Sequence, residues 1–397
     1  MGNTRKVAAV FCFFLPILFL CFAHAQEPPS ISAASAVLMD ADSGRILYAN
    51  NESEERPIAS ITKLMTALVV AESVEDLEKK VVIRPEWTGI EGTSLYLRPG
   101  ETLSVKCLLY GLLLQSGNDA AVALAGYSAG DVEAFVAWMN QRAADLGMSH
   151  THFYDPNGLS SDAHYSSAWD MAKLAAACLK HPVIAEIVST RSIHLEGRTL
   201  TNHNKLLWRY PACTGMKTGF TRQAGRTLVS SAEKDGQTLI CVTLNDPEDW
   251  RDHEALLEYG FSTYPRQKLL EKGKVLGKLP VSGSLLHQVS ISPRDDFYYP
   301  IGQSDAVEIT TVEPSDPVAA PLHQDGIAGS VSVLVNGRTV GKVYLIWKYS
   351  VPRDVLEMHD EISPFRKVRQ WSGSLFRERN APFVKNGKTL NLSASFP

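Results

Sequence analysis

Hydrophobic and polar positions divide the chain into blocks of different period. Residues 36 to 50, "AVLMDADSGRILYAN", read as two strands around an Asp-Ser-Gly turn, a hairpin signal. The run "IASITKLMTALVV" (59 to 71) is apolar all round and follows the helix-start signal Pro57, which predicts a helix buried on every side. "LSVKCLLYGLLLQ" (103 to 115) and "NDAAVALAGYSAG" (118 to 130) predict two helices separated by Ser116-Gly117-Asn118. Further helices fit "VEAFVAWMNQRAADLGM" and "SAWDMAKLAAACLK". From Arg191 the pattern turns to strands, and 226 to 246 form a hairpin with Asp235-Gly236 at its turn. The helix "DWRDHEALLEYGF" closes this region near Phe261. Strands, a helical block and strands again imply a mostly antiparallel sheet packed with helices, an α+β class.

From about Ser262 short alternating runs bounded by Gly, Pro and Asp predict a small all-β domain. Its "VNGR" is an Asn-Gly hairpin turn, and it ends near Val351-Pro352. The expected division is therefore 1-25, 26-262, 263-353 and 354-397. The last segment contains "PFRKVRQWSGSLFRERN". It reads either as a basic interfacial helix with Phe365, Val368, Trp371 and Phe376 towards lipid, or as a partly disordered basic tail.

Composition sharpens the compartment. The chain has 397 residues, 45% of them hydrophobic, and a net charge of -4, which argues against nucleic acid as a partner. Arg5 and Lys6, the apolar run "VAAVFCFFLPILFLCF" and Ala23-His24-Ala25 make a cleavable export signal, with the mature chain starting near Gln26. Cys21 follows Leu20 rather than a small residue, which argues against a lipoprotein signal. The protein is expected outside the cytoplasm. Cys107, Cys178 and Cys241 sit in apolar runs as small core residues; Cys213 lies near a motif and is a candidate reactive thiol. No metal-ligand spacing, phosphate loop or cofactor motif is present in the sequence.

The candidate chemistry begins with Lys63, one helical turn after Ser60 in an apolar helix. Desolvation disfavours an ammonium there, and a hydroxyl beside a lysine pushed towards neutrality is a nucleophile beside its base. An isolated S-x-x-K is weak evidence. It is joined here by Ser116-Gly117-Asn118 in an interhelix loop and Lys217-Thr218-Gly219 before a strand pair. The order S-x-x-K, S-x-N, K-T-G is the motif set of penicillin-recognising serine acyl enzymes.

With these three motifs, and segments such as "VLMDADSGRILYAN", "LLLQSGNDAAVALA" and "GMKTGFTRQAGRTLVSSA", the chain resembles the D-alanyl-D-alanine carboxypeptidases, the low-molecular-mass penicillin-binding proteins of peptidase family S11. The resemblance spans about residues 30 to 350 and implies a β-lactamase/transpeptidase-like fold with a C-terminal β domain. Some members belong to sporulation, a role nothing in these residues assigns. It implies peptidoglycan stem peptides and β-lactams as partners, Ser60 as the acyl-forming nucleophile and Lys63 as its base. Ser116 would relay a proton to the leaving amine, and Asn118 would hold a substrate amide or orient Lys63. Lys217 and Thr218 would bind the substrate carboxylate, Lys217 as a wall residue outside the core. Gly219 would let substrate backbone lie close. The backbone N–H groups of Ser60 and Phe220 would form the oxyanion hole. Members of the family also keep a C-terminal amphipathic anchor, where this chain has its basic tail.

Where some members carry an Arg that grips the substrate carboxylate before "N-x-L-L-W", this chain has His203, which either does so only when protonated or is a surface loop residue without a role. Asp155, Asn157, His164 and Asp170 read as turn and capping residues. A class A β-lactamase would need a carboxylate base in an E-x-x-L-N segment, which is missing between Asn118 and Lys217. A transpeptidase would share the acylation step, and a non-catalytic cell-wall binder would not need the full motif set.

Overall fold

The computed structural model describes residues 27–159, 161–312 and 317–354. The export signal and all of the basic tail except Asp354 lie outside them.

Strands β1 (Ser35–Asp40) and β2 (Ile46–Asn50) form the first hairpin, and every residue of β1 is buried. A 3₁₀ turn, Ala59–Thr62, runs directly into helix α1 (Lys63–Ser73), whose residues 63 to 70 are all buried. The apolar run thus encodes a helix with core on all sides. A two-stranded ribbon follows, β3 (Lys80–Val82) with β4 (Thr102–Ser104). Ser104 then caps α2 (Val105–Leu114) by accepting from the Cys107 N–H. The helical block continues with α3 (Asn118–Ala129), α4 (Val132–Asp145) and α5 (Ala168–Lys180), the last two capped by Asp131 and Ser167. Helix α6 (Pro182–Ser189) was not in the sequence expectation, although Pro182, two residues after α5 ends, is a helix-start signal.

A hairpin of β5 (Ser192–Leu195) and β6 (Arg198–Thr201) and a single turn, α7 (Leu206–Arg209), lead into the sheet. Strands β7 (Cys213–Thr221), β8 (Gly225–Lys234) and β9 (Gln237–Leu244) complete a five-stranded sheet of order β2-β1-β9-β8-β7, antiparallel throughout. Helix α8 (Asp249–Thr263) packs on one face of that sheet with Leu38, Leu228 and Leu239, while Val229, Ile240 and Val242 face the helical block. β7 is left at the sheet edge, beside the Ser60 turn.

Beyond α8 the described chain is all strand: β10 (Arg266–Leu270), β11 (Gly277–Ser282), β12 (Gln288–Pro293), β13 (Phe297–Pro300), β14 (Val307–Val312), β15 (Val318–Ala319), β16 (Ile327–Val335) and β17 (Arg338–Trp347). Six of these form a sheet of order β14-β16-β17-β12-β11-β15. The β16–β17 turn uses Asn336 (φ 51) and Gly337 (φ 75), the left-handed pair a tight hairpin needs. Arg45, in the turn between β1 and β2, joins the two halves: its guanidinium donates to both carboxylate oxygens of Asp305 (2.7 and 2.9 Å) and to the Pro300 carbonyl. It lies between the rings of Tyr264 and Tyr299.

Candidate active site

Ser60 sits in the short 3₁₀ turn before α1, so the first turn of the helix begins at the nucleophile candidate. Ala59, just before it, has a left-handed φ of 51, a conformation costly for a residue with a Cβ. That kink is held from below. Thr62 Oγ1 donates to the Ala59 carbonyl and lies 2.7 Å from His164 Nε2; Thr66 Oγ1 donates to the Pro156 carbonyl. Asp155 accepts from the N–H groups of Asn157 and Gly158, folding residues 155 to 158 against the turn. Gly158 has φ +83, and a Cβ there would collide with the Ala59 carbonyl.

Lys63 is fully buried. Its Nζ lies 2.8 Å from Ser60 Oγ, 2.7 Å from Asn118 Oδ1 and 2.5 Å from the Asn157 carbonyl oxygen. Burial drives its pKa well below the usual lysine range, and the neighbouring Lys217 charge pushes the same way. Nζ is placed to donate to all three oxygens as an ammonium, and the same three contacts serve the neutral amine with the Ser60 one reversed. Asn118 Nδ2 donates to the Glu91 carbonyl, which turns Oδ1 towards Lys63. Asn118 Oδ1 and the Asn157 carbonyl can only accept, so they take the two N–H bonds of a neutral amine. The remaining lone pair is left for the Ser60 hydroxyl, which then donates to it.

This arrangement corrects several expectations. Asn118 orients Lys63 through Oδ1 and gives one Nδ2 hydrogen to Glu91, which leaves its second amide hydrogen open to the cleft side. Asn157 contributes a backbone carbonyl to the lysine, and His164 braces the Ser60 turn; neither is simply a turn or capping residue. Asp170 is buried, accepts from the His150 N–H and Thr151 Oγ1, and pairs with Lys173, while Ser167 does the capping. Asp155 is a turn residue as expected.

Ser116 is buried, with a left-handed φ of 62, and among the described residues its hydroxyl has no hydrogen-bond partner. Asp119 was missed from sequence. It accepts from Leu95 and Leu97 N–H and from Ser94 Oγ, pinning the loop that carries Glu91 and Thr93. An acid one residue after S-x-N, facing three donors, would have been the signal.

On the opposite wall, β7 places Lys217, Thr218, Gly219 and Phe220 along the sheet edge. Lys217 is a core residue, contrary to its expected place. It is only 1% exposed, donates to the Thr218 carbonyl (2.8 Å), and burial lowers its pKa to about 7. Gly219 is explained by packing within the protein itself: a Cβ there would run into Thr227 Oγ1 and come within 3.0 Å of the Ser60 nitrogen and 3.1 Å of the Ile61 nitrogen. The Phe220 side chain is exposed. A cleft of about 350 Å³ lies between these walls, lined among others by Ser60, Ser116, His203, Thr218 and Arg226. His203 therefore stands at the lip of the cleft, not away from it; burial and the nearby Lys217 charge lower its pKa. Cys213 is a poor thiolate, its pKa raised to about 11 by burial, and Cys107, Cys178 and Cys241 are buried thiols.

Residues 22–248 match the family described as D-alanyl-D-alanine carboxypeptidase, peptidase S11, and residues 264–353 match the penicillin-binding protein 5 C-terminal domain. The chain is 34% identical to D-alanyl-D-alanine carboxypeptidase DacF of Bacillus subtilis over 71% of either chain. It is 32% identical to DacA of Escherichia coli over 84% of this chain and 89% of that one. The crystal structure of penicillin-binding protein 5 from Haemophilus influenzae superposes with a TM-score of 0.69, at 31% identity, over 82% of this chain and 99% of that one.

Proposed function

The chain belongs to the peptidase S11 family and is a serine-type D-alanyl-D-alanine carboxypeptidase, and from that premise we propose that it removes the terminal D-alanine of peptidoglycan pentapeptides through an acyl-enzyme on Ser60. The observation that carries the mechanism is the buried lysine 2.8 Å from the serine hydroxyl, with its other contacts taken by obligate acceptors. Ser60 Oγ attacks the carbonyl of the penultimate D-alanine while Lys63 Nζ takes the hydroxyl proton. The oxyanion is held by the Ser60 and Phe220 N–H groups, in a turn the α1 dipole favours for negative charge. Collapse breaks the C–N bond, and the proton passes from Lys63 by way of Ser116 to the leaving amine. Water then attacks the ester, giving its proton to Lys63, and Ser60 is restored. Penicillin enters the same first step and stays as the ester. The test is mass spectrometry of the penicillin adduct: it should sit on the peptide containing Ser60, and an adduct elsewhere would overturn the assignment. The domains are proposed to divide at 262/263, with the chemistry confined to the first.

The two lysines impose opposite pH demands. Acylation requires neutral Lys63, so its rate constant rises with pH through that lysine's depressed pKa. Holding the substrate carboxylate is assigned to Lys217 and Thr218, and Lys217 is charged only below about 7. KM for an acyl-D-Ala-D-Ala peptide should therefore rise about tenfold as pH climbs from 6 to 9, the loss expected for one charge-assisted hydrogen bond. A KM flat over that range would move carboxylate recognition to another residue.

We infer from the export signal that this reaction takes place outside the cytoplasm, and from the Arg/Lys and aromatic content of 354–397 that the tail lies on the membrane surface. Full-length mature protein should pellet with anionic liposomes, with binding that survives high salt because aromatic burial is not screened. Equal pelleting after deletion of 354–397 would end that reading.

A further inference from the structure

Arg226 is the feature of the cleft that the reaction above does not use. It lies on β8, paired across the ladder with Phe220, and lines the same cleft as Ser60 and Thr218. Its guanidinium is held in place. Nη2 donates to both oxygens of the buried Asp249 at 2.8 Å, and Cζ sits 5.4 Å from the ring centroid of Trp250. Nε is buried without a hydrogen-bond partner, and among the described residues Nη1 has none either. The side chain is 41% exposed where it meets the cleft. An arginine fixed on one edge by a carboxylate and on its face by an indole, with Nη1 left without a protein partner, is prepared to hold a second anion through that nitrogen.

Register says which anion. On the proposed mechanism, on which this inference rests, the leaving residue's carboxylate lies at Lys217 and Thr218 and the scissile carbonyl at the Phe220 N–H. The acyl part of the peptide therefore continues towards Thr221 and the hairpin tip, at about 3.3 Å per residue. Arg226, opposite Phe220, lies two residues further along the ladder than Thr218, towards that acyl side. Alternation along β7 and β8 puts Arg226, Phe220 and Thr218 on one face of the sheet, the face that α8 covers.

We propose that Arg226, clamped by Asp249 and Trp250, binds a side-chain carboxylate on the residue preceding D-Ala-D-Ala, so that the enzyme selects peptides with a diamino dicarboxylic acid at that position over those with a simple diamino acid. The test uses three acyl-X-D-Ala-D-Ala peptides in which X is meso-diaminopimelate, its side-chain amide, or L-lysine. For the wild-type enzyme kcat/KM should favour the free carboxylate over both others by about tenfold. Arg226→Gln should bring that ratio close to one.

Because Arg226→Gln leaves the Asp249 carboxylate buried and unpaired, Arg226→Gln/Asp249→Asn is measured beside it, with the extent of penicillin labelling as the check that the site is folded. Loss of the preference in a fully labelled variant supports the assignment. A wild-type enzyme indifferent to X overturns it, as does a preference that survives in the variants. An equal loss on all three peptides also overturns it, because that places Arg226 on the terminal carboxylate common to them. Release of D-alanine from none of them by the wild-type enzyme would sink the carboxypeptidase mechanism itself and this inference with it.

Discussion

Ser60→Ala should lose D-alanine release by at least about a thousandfold and should form no penicillin adduct, while the fold is retained. The hydroxyl is the atom that bonds the acyl group, and no other group in the described cleft has both a base at hydrogen-bond distance and a helix N-terminus behind it. Lys63→Ala should cost nearly as much, about 10²- to 10⁴-fold in acylation, the range for removal of a general base. The two losses should not add, because either change alone disables the same proton transfer. Lys63→Ala also opens a hole in the core and leaves the Asn118 and Asn157 oxygens without their donor, so thermal unfolding must be followed alongside. A Ser60→Ala protein that still released D-alanine at a substantial rate would end the mechanism.

Gly219→Ala should also be strongly damaging although it removes no reacting atom. The added methyl meets Thr227 Oγ1 on one side and, on the other, the Ser60 and Ile61 nitrogens at 3.0 and 3.1 Å. Thr227 cannot easily turn away, since its hydroxyl donates to the Ile58 carbonyl (2.9 Å) and it is buried. The strand must therefore shift away from the Ser60 turn, and the two walls of the proposed oxyanion hole move apart. A displacement of about 1 Å at such a site costs on the order of a hundredfold. The loss should appear in the acylation rate constant with penicillin, measured on protein whose melting transition stays cooperative. Normal acylation by Gly219→Ala would show that β7 and the turn are not rigidly coupled.

Much of this was readable in one dimension. The antiparallel α+β class, the hairpins at 36–50 and 226–246 and the helices expected at 103–115 and 118–130, found at 105–114 and 118–129, follow from periodicity and turn residues, because those signals are local. The three motifs were readable for a related reason: each is a short segment whose spacing serves one helix turn, loop or strand. Pairing Ser60 with Lys63 needed only the i, i+3 spacing, and the depressed lysine pKa needed only an apolar helix.

What spacing could not supply is who meets whom across the fold. That the Asn118 donor goes to Glu91, leaving its oxygen for Lys63, depends on a loop held by Asp119. That Lys63 needs the Asn157 carbonyl depends on the packing of 155–158 under the turn. Lys217 reads as a polar wall residue by its place in K-T-G, yet the closing of β7 against the helical block buries it and makes its charge sensitive near pH 7. Gly219 reads as room for substrate, and its nearest neighbours prove to be the protein's own Thr227, Ser60 and Ile61. Local hydrophobic pattern and motif spacing determined the elements and the reacting pair, since both depend on neighbours a few residues apart. The orientation of Asn118, the burial of Lys217 and the presence of Arg226 in the cleft were decided by tertiary structure, because desolvation and hydrogen-bond partnership are set by residues distant in sequence.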